Sequence, residues 1–231
     1  NKSITKFVFN NCLFSNESYE LFMNCILSHE KIEYLNMNSN NLDDKSGNML
    51  SRFIMRQSQR RDQVVWMYGL RNERPLNNEF AKGLVSLNLS CNLLGDTSAD
   101  FISYALSSDI YIRKVNLSNN QISEKGCKKF CWLLKTNDTL LNVDLRGNSG
   151  YTENINFKIG LRLSNNIKKL YMNDPETAME VQKYIDFSLF KTDIPEYIID
   201  MYNQKGNSKK NSKEQTQVSK RKAQSSRKQS E

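Results

Sequence analysis

Histidine is nearly missing from this chain, and its single copy, His29, excludes a His-rich metal cluster. The five cysteines (Cys12, Cys25, Cys91, Cys127, Cys131) contain no CxxC pair, so neither a zinc ribbon nor a redox dithiol is encoded. They read as reduced thiols of an intracellular, metal-free chain. No apolar run approaches the roughly 18 to 20 residues that a membrane-spanning helix needs. Mean hydropathy is −0.66, and an integral membrane helix is excluded. A cleavable N-terminal signal is also missing. The chain opens on Asn1 rather than Met, which leads us to expect sequence upstream of it. N-x-S/T triplets, among them those at Asn16, Asn88, Asn116 and Asn137, occur in a chain rich in Asn and are not read as glycosylation sites. Catalytic signatures are lacking too. There is no G-x-x-x-x-G-K-[ST] loop, no H-E-x-x-H, and no Ser or Cys with a spare His, so no enzyme, cofactor or metal is expected.

What is present fits one globular domain with length left over. The 231 residues are 38% hydrophobic and 25% charged. The formal charge of +8 is unevenly placed. Residues 205–231 hold nine Lys and Arg against Glu214 and Glu231, whereas residues 1–204 are close to neutral. That neutrality argues against nucleic acid as the partner of the fold. The tail has Val218 as its only bulky aliphatic residue and is expected to be disordered. Its Lys220, Arg221 and Lys222 have the composition of an import signal or of a contact to anionic surfaces, and also of a plain solvated tail.

Internal repetition organises the rest. The pattern L-x-x-L-x-L-x-x-N/C-x-L can be read five times. The copies are Ile4, Phe7, Phe9, Cys12, Phe14; Ile32, Leu35, Met37, Asn40, Leu42; Leu84, Leu87, Leu89, Asn92, Leu94; Ile112, Val115, Leu117, Asn120, Ile122; and Leu140, Val143, Leu145, Asn148, with Gly150 last. A weaker sixth strand is expected at Ile167, Leu170 and Met172. Starts at 4, 32, 84, 112, 140 and 167 give steps of 28 or 27, with one step of 52. One repeat therefore carries 24 extra residues.

The spacing predicts an α/β leucine-rich repeat solenoid of the long, ribonuclease-inhibitor-like class. Parallel strands line its concave face and helices its convex face. The helices are expected over 19–27, 49–56, 99–106, 125–134 and 155–163. Asn40, Asn92, Asn120 and Asn148 should form an inward ladder that satisfies backbone groups of neighbouring turns, with Cys12 the variant at that position. The outward strand positions are taken as Glu33, Asn36, Asn38, Ser86, Asn88, Ser90, Arg113, Asn116, Ser118, Asn142, Asp144 and Arg146. The expected domains are residues 1–174 for the repeats with an insertion at about 55–78, residues 175–204 for a C-terminal cap, and residues 205–231 for the basic tail. Ala178, Val181, Tyr184, Ile185 and Leu189 are spaced as the cap's apolar stripe. His29 reads as structural, Asp43 and Asp44 as turn chemistry, and Cys127 with Cys131 as packing.

The insertion concentrates Arg56, Arg60, Arg61, Arg71 and Arg74, five of the eleven arginines, together with Trp66, Met67, Tyr68 and Leu70. Arg with Trp and Tyr is the composition of binding hot spots. The competing reading is that Trp66 and Leu70 pin a helical extension to the fold and that the arginines are solvated.

The order Arg60-Arg61, Trp66, Leu70-Arg71, Arg74-Pro75, Gly83-Leu84, Leu89 and Cys91-Asn92 resembles the centrosomal protein of 78 kDa family. The resemblance continues through Gly95-Asp96, Leu106-Ser107, Asp109, Arg113, Gly126, Thr136-Asn137, Thr139-Leu140, Asp144, Arg146 and Asn148, covering roughly residues 30–150. Ser149-Gly150 departs from the Asn-Pro ending usual there, and the coiled coil that members carry beyond the repeats is not found in these residues. The resemblance implies a non-enzymatic protein-binding scaffold at the centrosome, centriole or ciliary basal body. It further implies a role in centrosome or cilium assembly, involving control of a ubiquitin ligase. The partners would be centrosomal or ciliary proteins, with no small-molecule substrate, and this span would be monomeric in the cytoplasm or on the cytoskeleton. The candidate partner-binding residues are Arg60, Arg61, Trp66, Arg71, Arg74, Arg113, Asp144 and Arg146. A Ran-type GTPase-activating repeat protein, which usually bears an acidic tail, and a generic ribonuclease-inhibitor-like or axonemal scaffold are the alternatives.

Overall fold

In the computed structural model, described over residues 3–72 and 82–186, five three-residue strands form one parallel sheet in the order β1-β2-β3-β4-β5. The strands are β1 Lys6–Val8, β2 Tyr34–Asn36, β3 Ser86–Asn88, β4 Lys114–Asn116 and β5 Asn142–Asp144. They pair in register one repeat apart, so that Phe7, Leu35, Leu87, Val115 and Val143 stand in one row. Strand alternation turns this row inward, and Leu35, Leu87, Val115 and Val143 are essentially inaccessible to solvent. The chain divides into two compact units, Asn1–Lys191 and Thr192–Glu231, and the described residues lie in the first. The expected disordered tail at 205–231 lies outside the described residues.

Each strand is followed by a helix: α1 Asn16–Ile26, α2 Asp44–Leu70, α3 Asp96–Ser107, α4 Glu124–Thr136 and α5 Glu153–Asn173. Neighbouring helices pack side by side, and their inner faces close on the strand row through residues such as Leu50, Phe53, Ile102, Phe130 and Leu163. Helix starts are set locally. Ser15, Asp43, Ser123 and Thr152 each cap one with a side-chain oxygen.

The Asn ladder forms as the spacing predicts. Asn92 Oδ1 accepts from Asn40 N (2.9 Å) and Leu42 N (3.1 Å), while its Nδ2 donates to Met37 O (3.0 Å) and Leu89 O (2.9 Å). Asn120 reaches back to Leu94 N and Leu89 O, and Asn148 to Ile122 N and Leu117 O, each over one repeat. Just before each ladder position the chain passes through a left-handed residue: Asn11, Ser39, Cys91, Asn119 and Gly147. This conformation turns the strand sharply toward the next helix.

Two further rows of polar side chains tie successive repeats. Asp44 Oδ1 accepts from Gly95 N, Ser98 N and Ser98 Oγ, and Asp96 does the same for Ser123 and Gly126 one repeat on. Burial alone would raise these carboxyls, but the hydrogen bonds outweigh it and hold both below the ordinary Asp value. At the opposite rim Asn137 donates to Leu106 O and Asp109 O, and Asn166 to Asn137 O and Leu140 O.

Four expectations need correction. The sixth strand does not form, because α5 runs unbroken from Glu153 to Asn173 and carries Ile167, Leu170 and Met172 as helix. At the N-terminal end Ile4 is exposed and Cys12 does not turn inward; Cys12 instead lends its N–H to Asn40 Oδ1. That end is closed by aromatic packing, with Phe9 and Phe22 rings 4.8 Å apart. Glu33 and Arg113 fall on the inward parity, so Tyr34 and Lys114 hold the outward positions of their strands. The helix of the second repeat does not stop at Arg56.

Of the expected cap, α6 spans Pro175–Val181 against α5, buries Ala178 and continues as a 3-10 turn at Gln182–Tyr184; Leu189 lies outside the described residues.

Candidate partner-binding site

The insertion is a continuation of α2. At 27 residues α2 is more than twice as long as α3 or α4, which have 12 and 13. Residues 56–70 carry no proline and only one glycine, Gly69, with good helix formers such as Gln, Arg and Met among them, so nothing stops the helix where its neighbours end. Its first half anchors Leu50, Phe53 and Ile54 in the core. Gln57, Ser58 and Arg61 then form a buried polar step. Beyond it the helix exposes Val65, Trp66, Met67 and Leu70, with Trp66 65% accessible.

Arg61 is not the exposed arginine that the sequence implies. Only 4% of it is accessible, its Nε donates to Lys82 O (3.3 Å), and its guanidinium carbon lies 4.7 Å from the centroid of the Tyr111 ring. Burial lowers its pKa to about 10 against the pull of the Asp109 carboxylate. Asp109 is raised by burial, although Ile112 N, Tyr111 N and Arg61 favour its charged form. One residue on, Asp62 Oδ1 accepts from Tyr111 Oη (2.8 Å). Arg61 and Asp62 thus clamp the extension to the loop before β4. Cation–π contact and hydrogen bonds, rather than apolar burial, hold it there.

The remaining candidates are dispersed. Arg60 is partly covered and ion-paired with Glu30. Arg71 is exposed and forms the C-terminal cap of α2, its N–H bonding Tyr68 O and Gly69 O. Arg74 lies outside the described residues. Arg113 donates from Nη1 to Thr139 O (3.0 Å) at the rim, where burial lowers its pKa and the charges of Asp109, Asp138 and Asp174 oppose that shift. Asp144 and Arg146, at the C-terminal end of β5, form a bidentate pair, with Nε to Oδ1 at 2.9 Å and Nη2 to Oδ2 at 2.6 Å; Asp186 lies 3.6 Å from the same Nη2. Hence α2 and its C-terminal cap carry Arg60, Arg61, Trp66 and Arg71 together, and Asp144 with Arg146 belongs to a different part of the fold.

No rim role was read from sequence for Asp109, Asn137 or Asn166. Their steps of 28 and 29 residues repeat the period of the Asn ladder, and that period was the available signal. Among the described residues no group of three His, Cys, Asp or Glu side chains is placed to hold a metal ion, and no helix is long and apolar enough to cross a membrane.

A leucine-rich repeat family model matches residues 28–51 and 109–131. The human centrosomal protein of 78 kDa is 29% identical over 139 residues, 60% of this chain, and the mouse protein is 28% identical over the same length. The Xenopus tropicalis protein is 28% identical over 129 residues, 55% of this chain. The chain is a leucine-rich repeat protein similar to the centrosomal proteins of 78 kDa. It spans about a fifth of the length of these relatives, 20% of the human and 18% of the mouse protein. Among solved structures, leiomodin-1 actin-binding site 2 superposes with a TM-score of 0.59 at 17% identity, covering 78% of this chain and 91% of that one. The Caenorhabditis elegans tropomodulin C-terminal domain does so with 0.58 at 13% identity, covering 74% and 89%. At these identities the likeness shows the fold alone.

Proposed function

We propose that this chain is a non-enzymatic protein-binding scaffold of the centrosome and ciliary basal body, and that it captures a centrosomal partner through the α2 extension. One observation carries the reading. The helix leaves the repeat core, is fixed by Arg61 and Asp62, and then exposes Val65, Trp66, Met67 and Leu70 in the segment whose order of residues resembles the family most specifically. A rigid helix with aromatic and aliphatic side chains in solvent is a poor solution for an isolated fold and a good one for a docking element. Arg60 and Arg71 would flank the apolar contact with charge for an acidic partner surface, Arg74 stays a candidate from sequence alone, and Arg61 would act by holding the helix in place. Arg113, Asp144 and Arg146 would serve the rim and the sheet. Residues 1–174 would be the repeat domain, 175–204 the cap, and 205–231 a basic tail outside the binding function. Ubiquitin-ligase control and cilium assembly would follow from the partner so recruited.

The test is recruitment of the tagged chain to centrosomes and basal bodies in ciliated cells. Enrichment at those structures is expected. A diffuse chain that stimulates hydrolysis by a small GTPase would favour the GTPase-activating alternative and overturn the proposal.

A further inference from the structure

On the helix face, far along the chain from the α2 extension, α4 and α5 bound a groove of about 420 Å³. Cys131, Trp132 and Leu161 give it an apolar lining, although Trp132 is 66% and Leu161 49% accessible. Its other walls are cationic, formed by Lys128, Lys135, Lys158 and Arg162, with no acidic side chain among the described lining residues. Lys135 Nζ lies 3.7 Å from the centroid of the Trp132 ring, and Lys128 is paired with Glu124 at 2.9 Å. No ion pair among the described residues engages Lys158 or Arg162, which stand one turn apart on α5 and repel each other. On α3, Tyr104, 28 residues before Trp132, is 72% accessible.

The repeat architecture does not require this arrangement, because the inward faces of α4 and α5 already bury Phe130, Leu133, Leu134, Ile155, Ile159 and Leu163. The outward stripe adds nothing to the core. It places contiguous apolar area in solvent between like charges, which is the signature of an unoccupied interface.

We propose that this groove binds an acidic amphipathic segment of a partner protein. Its apolar residues seat on Trp132 and Leu161, and its carboxylates meet Lys135, Lys158 and Arg162. Charge complementarity selects the occupant, since four cations surround the apolar floor and, among the described residues, only Lys128 of the four is ion-paired, with Glu124. A sugar–phosphate backbone satisfies the cations but leaves Leu161 and Cys131 uncovered, so a peptide fits the groove better than a nucleic acid does. The site is independent of the α2 extension and stands whether or not that helix recruits the chain to centrosomes.

The two tryptophans are Trp66 and Trp132, so Trp66→Phe in the full chain leaves Trp132 as a reporter inside the groove. Three probes are titrated: an amphipathic helical peptide with an acidic polar face, the same peptide with a basic polar face, and a single-stranded oligonucleotide. The acidic peptide is expected to shift Trp132 emission to the blue and to saturate. Lys158→Glu with Arg162→Glu should weaken it about tenfold or more at an unchanged thermal midpoint, and Leu161→Ser should weaken it as a second, uncharged probe of the same groove. An acidic peptide that leaves the emission unchanged, or binds no better than the basic one, overturns the proposal. So does an oligonucleotide that produces the shift in its place.

Discussion

The guanidinium of Arg61 fills the space that a Cβ on residue 83 would need, so Arg61 and Gly83 fit each other only as they stand. Gly83 also has φ +143°, a conformation that side chains with a Cβ rarely adopt. Sterics and electrostatics therefore meet at one rim of the fold. The loop before β3 stays open enough for an arginine, and the arginine holds the helix that leaves the core.

Gly83→Ala should cost about 2 to 4 kcal/mol, combining backbone strain with displacement of Arg61. Urea unfolding followed by circular dichroism measures it as a lower midpoint. An unchanged midpoint would mean that the loop and the arginine move apart freely.

Neighbouring arginines should behave very differently. Arg61→Ala removes the group facing Tyr111 and leaves the buried Asp109 with less compensation, at a cost of about 3 kcal/mol. Arg60→Ala loses one ion pair to the largely exposed Glu30 and should cost less than about 1 kcal/mol. The same unfolding experiment separates the two.

In the ladder, Asn92→Ala breaks bonds to two N–H groups and three carbonyls of two turns, and should cost about 3 kcal/mol or more. Cys12→Ala, at the exposed end of the row, should change stability by less than about 0.5 kcal/mol.

Stability should fall with acid through Asp44 and Asp96. Both have folded pKa values below their ordinary value, so the unfolded chain takes up protons first as pH drops. Their stabilisation is complete above the ordinary carboxylate range and is lost as pH falls below about 4. Asp109 works in the opposite sense. Its raised folded pKa makes the folded state bind protons first, which adds stability as pH falls through that raised value toward the ordinary carboxylate range, above the window in which Asp44 and Asp96 lose theirs. Asp44→Asn with Asp96→Asn should lower the melting temperature at neutral pH and flatten its decline between about pH 5 and 2.

Thiol chemistry should divide the cysteines. Burial pushes Cys127 up to about 12 and raises Cys131, so neither presents a thiolate near neutrality. Cys12, Cys25 and Cys91 are exposed. Brief alkylation of the folded chain followed by mass spectrometry should label those three rapidly and Cys127 only after denaturation.

The repeats were legible because their physics is periodic. Leu35, Leu87, Val115 and Val143 share a row, and Asn40, Asn92, Asn120 and Asn148 share a ladder, so a regular step in sequence becomes a fixed step in space. The ends were less legible. Ile4 and Cys12 carry the repeat pattern yet are exposed, and the apolar spacing of Ile167, Leu170 and Met172 is shared by a strand motif and by the last turns of α5. At the insertion, composition pointed to Arg60, Arg61 and Trp66 alike. It did not show that Arg61 is buried and Trp66 exposed, because that depends on Tyr111 and Gly83, which approach from other repeats.

In the proposed function, the exposed end of α2 recruits this chain to the centrosome. The most direct measurement compares centrosomal enrichment of the tagged wild-type chain with that of Trp66→Ala/Leu70→Ala in cells, with thermal midpoints of the purified proteins measured in parallel. Both side chains are about two-thirds accessible, so the midpoints should agree within about 2 °C. Enrichment should be lost in the variant at equal stability. A stable variant that still concentrates at centrosomes as the wild type does would contradict it.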